Sequence, residues 1–359
     1  MKIALLGFYN KSNFGDDLMA EILPGVLARP GVDSCQPFGD TNGRFALNGV
    51  SDPTYLQHDL IVIGGGGIVT NEFWCFAHDR LEAMKNSKKP IAFVNVNVTN
   101  YLRENMDFAH KLRDLQAKWW VRDLESVEIL NAIGIESQMV PDVSLRPGVI
   151  STGDSGDARP KQVLVFLNSY IFNQMFNHSN VFNYLKSNES IRLISQHIDW
   201  LMNFGWKVTF CAAHTAKEVD DRIPSAIAFA LSKNKQLCNW VSEPLEWRQM
   251  VQMIAESGLV VSMRYHSSLV ALAAGTPLVD ITHHPKNARL MLAAGVQQAS
   301  VDYQTMTRPA LIKATQAAER LIPNSEGVQM YLAEARALWA RFDQEWAKFL
   351  ESIESREAL

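Results

Sequence analysis

Arg264, His266 and Lys286 stand close together in the stretch Ser262 to Lys286, SMRYHSSLVALAAGTPLVDITHHPK. A guanidinium offers a planar fork to a carboxylate or phosphate, an ammonium offers a point charge, and an imidazole carries a proton near neutral pH. Alone, Arg264 would read as a strand-end ion-pair residue, His266 as a helix-start histidine bonded to a carbonyl, and Lys286 as a solvated lysine. Their coincidence on two successive polar loops reads instead as an anion site that can also move a proton.

The elements that must position them follow from residue order. Leu259, Val260 and Val261 form a β-branched run typical of a buried strand, which Arg264-Tyr265-His266 interrupts. Ser267 and Ser268 then suit the first turn of a helix, Leu269, Leu272 and Ala273 its buried face, Gly275 its left-handed stop and Pro277 the position beyond. Leu278 to Thr282 is the next strand, and His283-His284-Pro285-Lys286 opens another helix that ends near Gly295. Two strand-loop-helix units in succession imply parallel strands with both loops at one carboxyl edge, where open α/β sheets bind ligands.

The same alternation runs through the whole chain of 359 residues, 47% of them apolar and 20% charged. Residues 1–147 read as one Rossmann-like domain, with strands at Ile3-Phe8, Leu60-Ile63, Ile91-Val96, Trp119-Val121 and Ser137-Val140. The intervening helices are expected from Asp16, through Phe73-Met84, through Leu102-Leu115 and from Asp123. Residues 148–161 are rich in Gly, Pro and small polar residues and read as a linker. Residues 162–305 form a second alternating series, and residues 306–359 read as helices packing back across the domains, with Trp339, Phe342, Trp346 and Phe349 on one face. The expected architecture is α/β, two doubly wound domains with a cleft between them as the natural site.

The net charge of −4 gives no electrostatic footprint for nucleic acid. No segment approaches the roughly 20 apolar residues of a membrane span, and Ile3 to Phe8 is too short for a signal peptide, so a cytoplasmic protein is expected. Cys35, Cys75, Cys211 and Cys238 lack metal or redox spacing and read as reduced thiols, and the sequons at Asn10, Asn97, Asn177 and Asn188 read as chance matches.

The amino-terminal half offers further candidates. Asn13, Asp16 and Asp17 follow the first strand without a G-x-G-x-x-G fingerprint, so no nicotinamide cofactor is expected; either aspartate would also serve as a helix cap. Gly64-Gly65-Gly66-Gly67 allows a ligand to approach the backbone, or an element to pack closely against it. Arg122-Asp123 at a strand-to-helix junction fits either a ligand contact or a cap with a local ion pair. Asp142 after Pro141 would support a loop or orient a hydroxyl.

These residues together resemble the polysaccharide pyruvyl transferase family. The resemblance rests on Asn13-x-Gly15-Asp16-Asp17, the strand running into Gly64 to Gly67, and Val121-Arg122-Asp123 with Ser126. It rests further on Arg264-x-His266-Ser267, Ala271-Leu272-Ala273-Ala274-Gly275-x-Pro277 and Pro285-Lys286. It covers roughly residues 1 to 300 in order, and its carboxyl-terminal block is the most specific. It implies a GT-B-like fold of two Rossmann-type domains and transfer of a pyruvyl group from phosphoenolpyruvate to a sugar of a cell-surface polysaccharide, commonly as a ketal. By the same resemblance Arg264, His266 and Lys286 act on the donor, and Arg122, Gly65, Gly66, Gly67 and Ser267 line its site. Asn13, Asp16, Asp17 and Asp142 are then acceptor or support residues. No cofactor or metal is implied beyond phosphoenolpyruvate as donor. The acceptor would be a glycan or lipid-linked sugar, with at most peripheral membrane contact.

Two departures stand out. The family often carries Tyr-Asp before Pro-Lys, where this chain has His283-His284, and a glycine-rich third strand where it has Phe93-Val94-Asn95-Val96-Asn97. Asp280, His283 and His284 could form a metal-ligand set, though a histidine pair in a loop is more often polar lining. Asn168 to Tyr184, with Tyr170, Phe172, Phe176 and Phe182, suits either a sugar surface or a helix with a buried aromatic side. A nucleotide-sugar glycosyltransferase and a non-catalytic glycan- or phosphometabolite-binding protein are the alternatives that the fold admits.

Overall fold

The structure, a computed structural model, describes residues 1–41, 47–69, 78–150, 159–169, 181–216, 219–243, 245–322 and 325–357. The chain forms two compact units, Met1–Val149 with Glu334–Leu359, and Ile150–Ala333.

In the first unit β1 (Lys2–Leu6), β2 (Ser34–Gly39), β3 (Asn48–Gly49), β4 (Leu60–Val69), β5 (Ile91–Val98), β6 (Lys118–Val121) and β7 (Gln138–Met139) form one parallel sheet in the order β3-β2-β1-β4-β5-β6-β7. The expected strands are present, and β2 and β3 are additions that the sequence conceals. Pro37 lies inside β2 and donates no backbone hydrogen bond, which normally argues against a strand. It is tolerated because β3 pairs only with Phe38 and Gly39, leaving Pro37 on what is locally an edge.

The second unit contains β8 (Gln162–Phe166), β9 (Lys207–Cys211), β12 (Cys238–Trp240), β13 (Leu259–Ser262), β14 (Leu278–Thr282) and β15 (Ser300–Asp302), parallel in the order β12-β9-β8-β13-β14-β15. A small antiparallel pair, β10 (Thr215–Ala216) and β11 (Val219–Asp220), follows β9. In each sheet the order reverses beside the unit's first strand, between β1 and β4 and between β8 and β13. That switch point is the ligand crevice of doubly wound sheets.

The helix expected from Asp16 begins at Phe14 and runs to Leu27, because Asn13 rather than an aspartate caps it and accepts from the Gly15 N–H. The helix expected over Leu102 to Leu115 is two helices, Tyr101–Glu104 and Met106–Asp114, since Asn105 leaves helical geometry and its side-chain amide donates to the Tyr101 carbonyl. Of the helix expected through Phe73 to Met84, the described part is His78–Ser87.

The last helix, Glu326–Glu357, closes the first unit's core. Trp339, Phe342 and Trp346 are buried, Trp120 meets Phe342 and Trp346 edge-on, and the Trp346 indole donates to the Leu27 carbonyl at 3.1 Å. Asp343 on the same helix pairs with Arg29 and Arg146. Among the described residues no helix is long and apolar enough to cross a membrane.

One buried histidine makes the second unit sensitive to acid. His197 lies in the helix Val181–Asn203, with its Nε2 3.0 Å from the Thr315 hydroxyl of the helix Arg308–Leu321. Burial, helped by the Arg308 charge, pushes its pKa down to about 4. The unfolded chain, near the ordinary value of about 6.5, takes up a proton that the folded chain refuses, so stability is full above that value. It then falls as the pH drops from about 6.5 towards 4, by about 3 kcal/mol at about 1.4 kcal/mol per pKa unit. Urea unfolding across this range should show a loss that His197→Gln lessens, the buried His283 contributing the remainder; parallel curves for both proteins would refute the assignment.

Candidate functional site

In the second unit the proposed chemistry gathers at the carboxyl ends of β8, β9, β13 and β14. Arg264 follows β13 and is the N-cap of the helix Tyr265–Ala273. Two serines fix the corner. Ser262 Oγ accepts from the Arg264 N–H at 3.0 Å and lies 2.8 Å from Ser267 Oγ, which is 3.0 Å from the Arg264 carbonyl. Ser267 is fully buried, so its hydroxyl is spent on holding Arg264 rather than on facing solvent.

The Arg264 guanidinium is aimed by a residue that sequence reading missed. Asp221, with no exposed surface, accepts from Arg264 Nε at 2.8 Å and from Nη2, and also from the backbone N–H groups of Ser169 at 2.9 Å and His214 at 3.0 Å. A bidentate pair of this kind sets the plane of the fork and leaves Arg264 Nη1 without a partner among the described residues. The only sequence signal was an acidic pair, Asp220-Asp221, before a helix. The first of the two goes to the neighbouring Arg222 instead.

His266 is the second residue of the same helix, half-buried and edge-on to Tyr265 with ring centres 5.2 Å apart. Lys286 enters from the next loop, its Nζ 5.3 Å from the centre of the Tyr265 ring. His284 caps the helix Pro285–Ala293 through Nδ1, and Pro285 occupies its first turn, where a missing N–H costs nothing. Arg264, His266 and Lys286 are thus brought together around Tyr265 at two adjacent helix N-termini, a favourable setting for an anion.

His283 adds no charge. Burial first, then the positive charges of Arg264, His284 and Lys286, push its pKa down to about 4, with the Ile281 carbonyl opposing. It is neutral at physiological pH, and its Nε2 lies 2.9 Å from the Asn168 side-chain amide at the end of β8. Asp280 does not join the histidines as a ligand. Its carboxylate accepts from Ser268, Asn287 and Thr282 and ties β14 to the two helices, while burial raises its pKa. Among the described residues no group of three metal-ligating side chains forms.

The first unit assembles its own polar row at the carboxyl ends of β1, β4, β5 and β6. Asn13 donates to Asp16 at 2.8 Å. Asp16 lies against Gly66, 3.3 Å from where a Cβ would stand. Asp17 is buried in the first turn of its helix. The four glycines are not a loop after the strand but lie inside β4. Gly65 and Gly66 take φ of +77° and +86°, and a Cβ on Gly65 would come within 2.8 Å of Met19 Sδ. Close packing against the helix Phe14–Leu27 therefore accounts for Gly64, Gly65 and Gly66, whereas Gly67 is exposed and faces the Asn97 side chain.

Asn97 donates to Asp123, which caps the helix Leu124–Ala132, and to Ser126 at 3.2 Å. Arg122 does not pair with its neighbour Asp123. It reaches Asp142 at 3.2 Å, both side chains being almost fully buried, and Asp142 also accepts from the Ser144 N–H and hydroxyl. Asn95, with φ +60°, holds the Pro141 carbonyl and the Val143 N–H, so the glycine-poor third strand supports that loop. Tyr170, Phe172 and Phe176, and the side chain of Phe182, lie outside the described residues. The described cysteines Cys35 and Cys211 have thiols pushed up to about 12 by burial, which makes them poor nucleophiles.

Among solved structures, the chain is similar to UDP-GlcNAc 2-epimerase from Neisseria meningitidis bound to UDP-GlcNAc. The identity is 12% and the TM-score 0.57, covering 97% of this chain and 100% of that one. UDP-N-acetylglucosamine 2-epimerase from Rickettsia bellii is comparable, with 12% identity, a TM-score of 0.58 and coverage of 99% and 97%. At that identity the likeness establishes the fold, which is of the GT-B type with two parallel α/β sheets. No curated protein matches the chain. The family pattern for polysaccharide pyruvyl transferase matches residues 13–285, the span that contains the cap at Asn13, the Arg264 corner and Pro285. The chain belongs to the polysaccharide pyruvyl transferase family.

Proposed function

We propose that this protein transfers a pyruvyl group from phosphoenolpyruvate to two hydroxyls of a sugar in a polysaccharide or its lipid-linked precursor, forming a ketal, in the cytoplasm or at the inner face of the membrane. The observation that carries the reading is the Arg264 fork, pre-aimed by Asp221, beside Lys286 on the adjacent loop. Phosphoenolpyruvate bears a carboxylate and a phosphate on one carbon, and a fork with a neighbouring point charge complements that pair.

His266 delivers a proton to the methylene carbon, which becomes the methyl group and leaves the central carbon electrophilic. The first sugar hydroxyl adds there and gives its proton to His266, and the C–O bond to phosphate breaks. The second hydroxyl closes the ketal, and its proton leaves with inorganic phosphate. Arg264, Lys286 and the helix N-termini hold the departing phosphate charge.

Phosphate release from phosphoenolpyruvate over a panel of acceptor sugars tests the reading. Lys286→Ala should raise the KM for phosphoenolpyruvate at least tenfold with the melting temperature unchanged. Absence of phosphate release with every acceptor, together with tight binding of a nucleotide sugar, would replace this reading with a glycosyltransferase.

A further inference from the structure

A cavity of 390 Å³ lies in the first unit at the amino ends of β6 and β7, the opposite edge of that sheet from Asn13, Asp16 and Asn97. A second of 220 Å³ adjoins it, sharing Lys118, Trp119 and Glu136. The larger falls in the range of small-ligand sites, about 300–1,000 Å³, and the smaller extends it. One wall is the last helix, which presents Glu345, Lys348, Phe349 and Ser352 at spacings that share a helical face. The other is the pair of strands in which Gln138 stands in register beside Trp120.

The lining decides what fits. Trp120, itself almost fully buried, meets Phe349 edge-on with ring centres 5.6 Å apart, and the half-buried Phe349 gives an apolar surface for a ring face. The Trp120 indole is fixed by a hydrogen bond to Glu345 at 3.2 Å. In the larger cavity Lys118 and Lys348 are matched in number by Glu136 and Glu345, the latter also pairing with Arg341 at 2.9 Å, so that lining carries no net charge of its own. Ser137 Oγ and Gln138 Oε1 are shut off from solvent and have no hydrogen-bond partner among the described residues. Each is short of a donor, which sugar hydroxyls carry in abundance. Aromatic surface, amide, hydroxyl and carboxylate in a groove of balanced charge match a neutral, polyhydroxylated ring better than a nucleotide or a phosphate.

We propose that this groove is an accessory site for neutral sugar residues of the glycan, away from the residues that handle the donor. The assignment rests on the reading of the protein as an enzyme acting on a glycan and does not depend on the identity of the donor.

Saturation-transfer NMR on the full chain, with cellotriose, chitotriose and mannotriose as probes, tests it. At least one trisaccharide should bind, and Gln138→Ala should weaken that binding tenfold or more. Ser352→Trp, which fills the groove from an exposed helix position, should do the same without touching the core. Phosphate release with a monosaccharide acceptor should be unchanged in both variants. Failure of all three probes to bind, or equal binding in both variants, overturns the groove assignment. Binding that is lost in both variants while the parent protein releases no phosphate from phosphoenolpyruvate would overturn the proposed function and leave the groove standing.

Discussion

Arg264→Ala is expected to fail in two separable ways, in donor capture and in stability. Removing the fork takes away the guanidinium on the β13 corner, and the loss of a charge-assisted contact of this kind costs about 2–5 kcal/mol of binding, or roughly 30- to 4,000-fold in kcat/KM for phosphoenolpyruvate. The same change strands Asp221, which has no exposed surface and among the described residues keeps only the Ser169 and His214 N–H groups as partners. Breaking a buried pair by removing one member destabilises by about 3–5 kcal/mol, because the surviving charge has no counterpart. The double variant Arg264→Ala with Asp221→Asn removes that stranded charge. It should recover part of the unfolding free energy and none of the activity. Urea unfolding and initial rates on the parent, Arg264→Ala, Asp221→Asn and the double variant form the double-mutant cycle. Recovery of activity along with stability would mean that Arg264 is structural only, and the donor site would have to be placed elsewhere.

Asp221 also marks the limit of what the sequence discloses. The Arg264 and Lys286 loops are legible because each follows a β-branched strand and precedes a helix with a glycine stop, local patterns that survive without tertiary information. Asp221 is more than forty residues away from Arg264 in the chain, and a pairing at that separation leaves no local trace. Arg122 illustrates the same point: the adjacent Asp123 is the obvious partner, yet it caps a helix and Asp142 takes the guanidinium. The glycine run misleads for a different reason. A residue without Cβ is needed wherever backbone approaches something closely, and the sequence does not say whether that something is a ligand or Met19. The alternation of elements is legible nearly throughout, since each buried parallel strand reads as an apolar run. The exceptions are β2, whose proline hides it, and β3, β10, β11 and β15, which are too short to leave an apolar run.

Histidine assignment gives the other large effect. His283 faces the Arg264 and Lys286 charges and His266 stands edge-on to Tyr265, and the two are unequal as proton carriers. With a pKa near 4, His283 is almost wholly unprotonated at neutral pH and has no proton to give to the methylene carbon of phosphoenolpyruvate. A general acid works best with a pKa close to the working pH. His266→Gln is therefore expected to lower kcat by about 100- to 10,000-fold, the usual range for loss of a proton-transfer group, while the KM for phosphoenolpyruvate changes little. It should also remove one limb of the pH–rate profile. His283→Gln retains a side chain able to meet Asn168 and should stay within about tenfold of the parent rate, with both limbs in place. The reverse ranking, with His283→Gln the more damaging variant, would mean that the neutral histidine accepts the hydroxyl proton and that protonation of the methylene is done from elsewhere. A kcat that responds to neither change would remove histidine from the chemistry and leave Arg264 and Lys286 as binding groups alone.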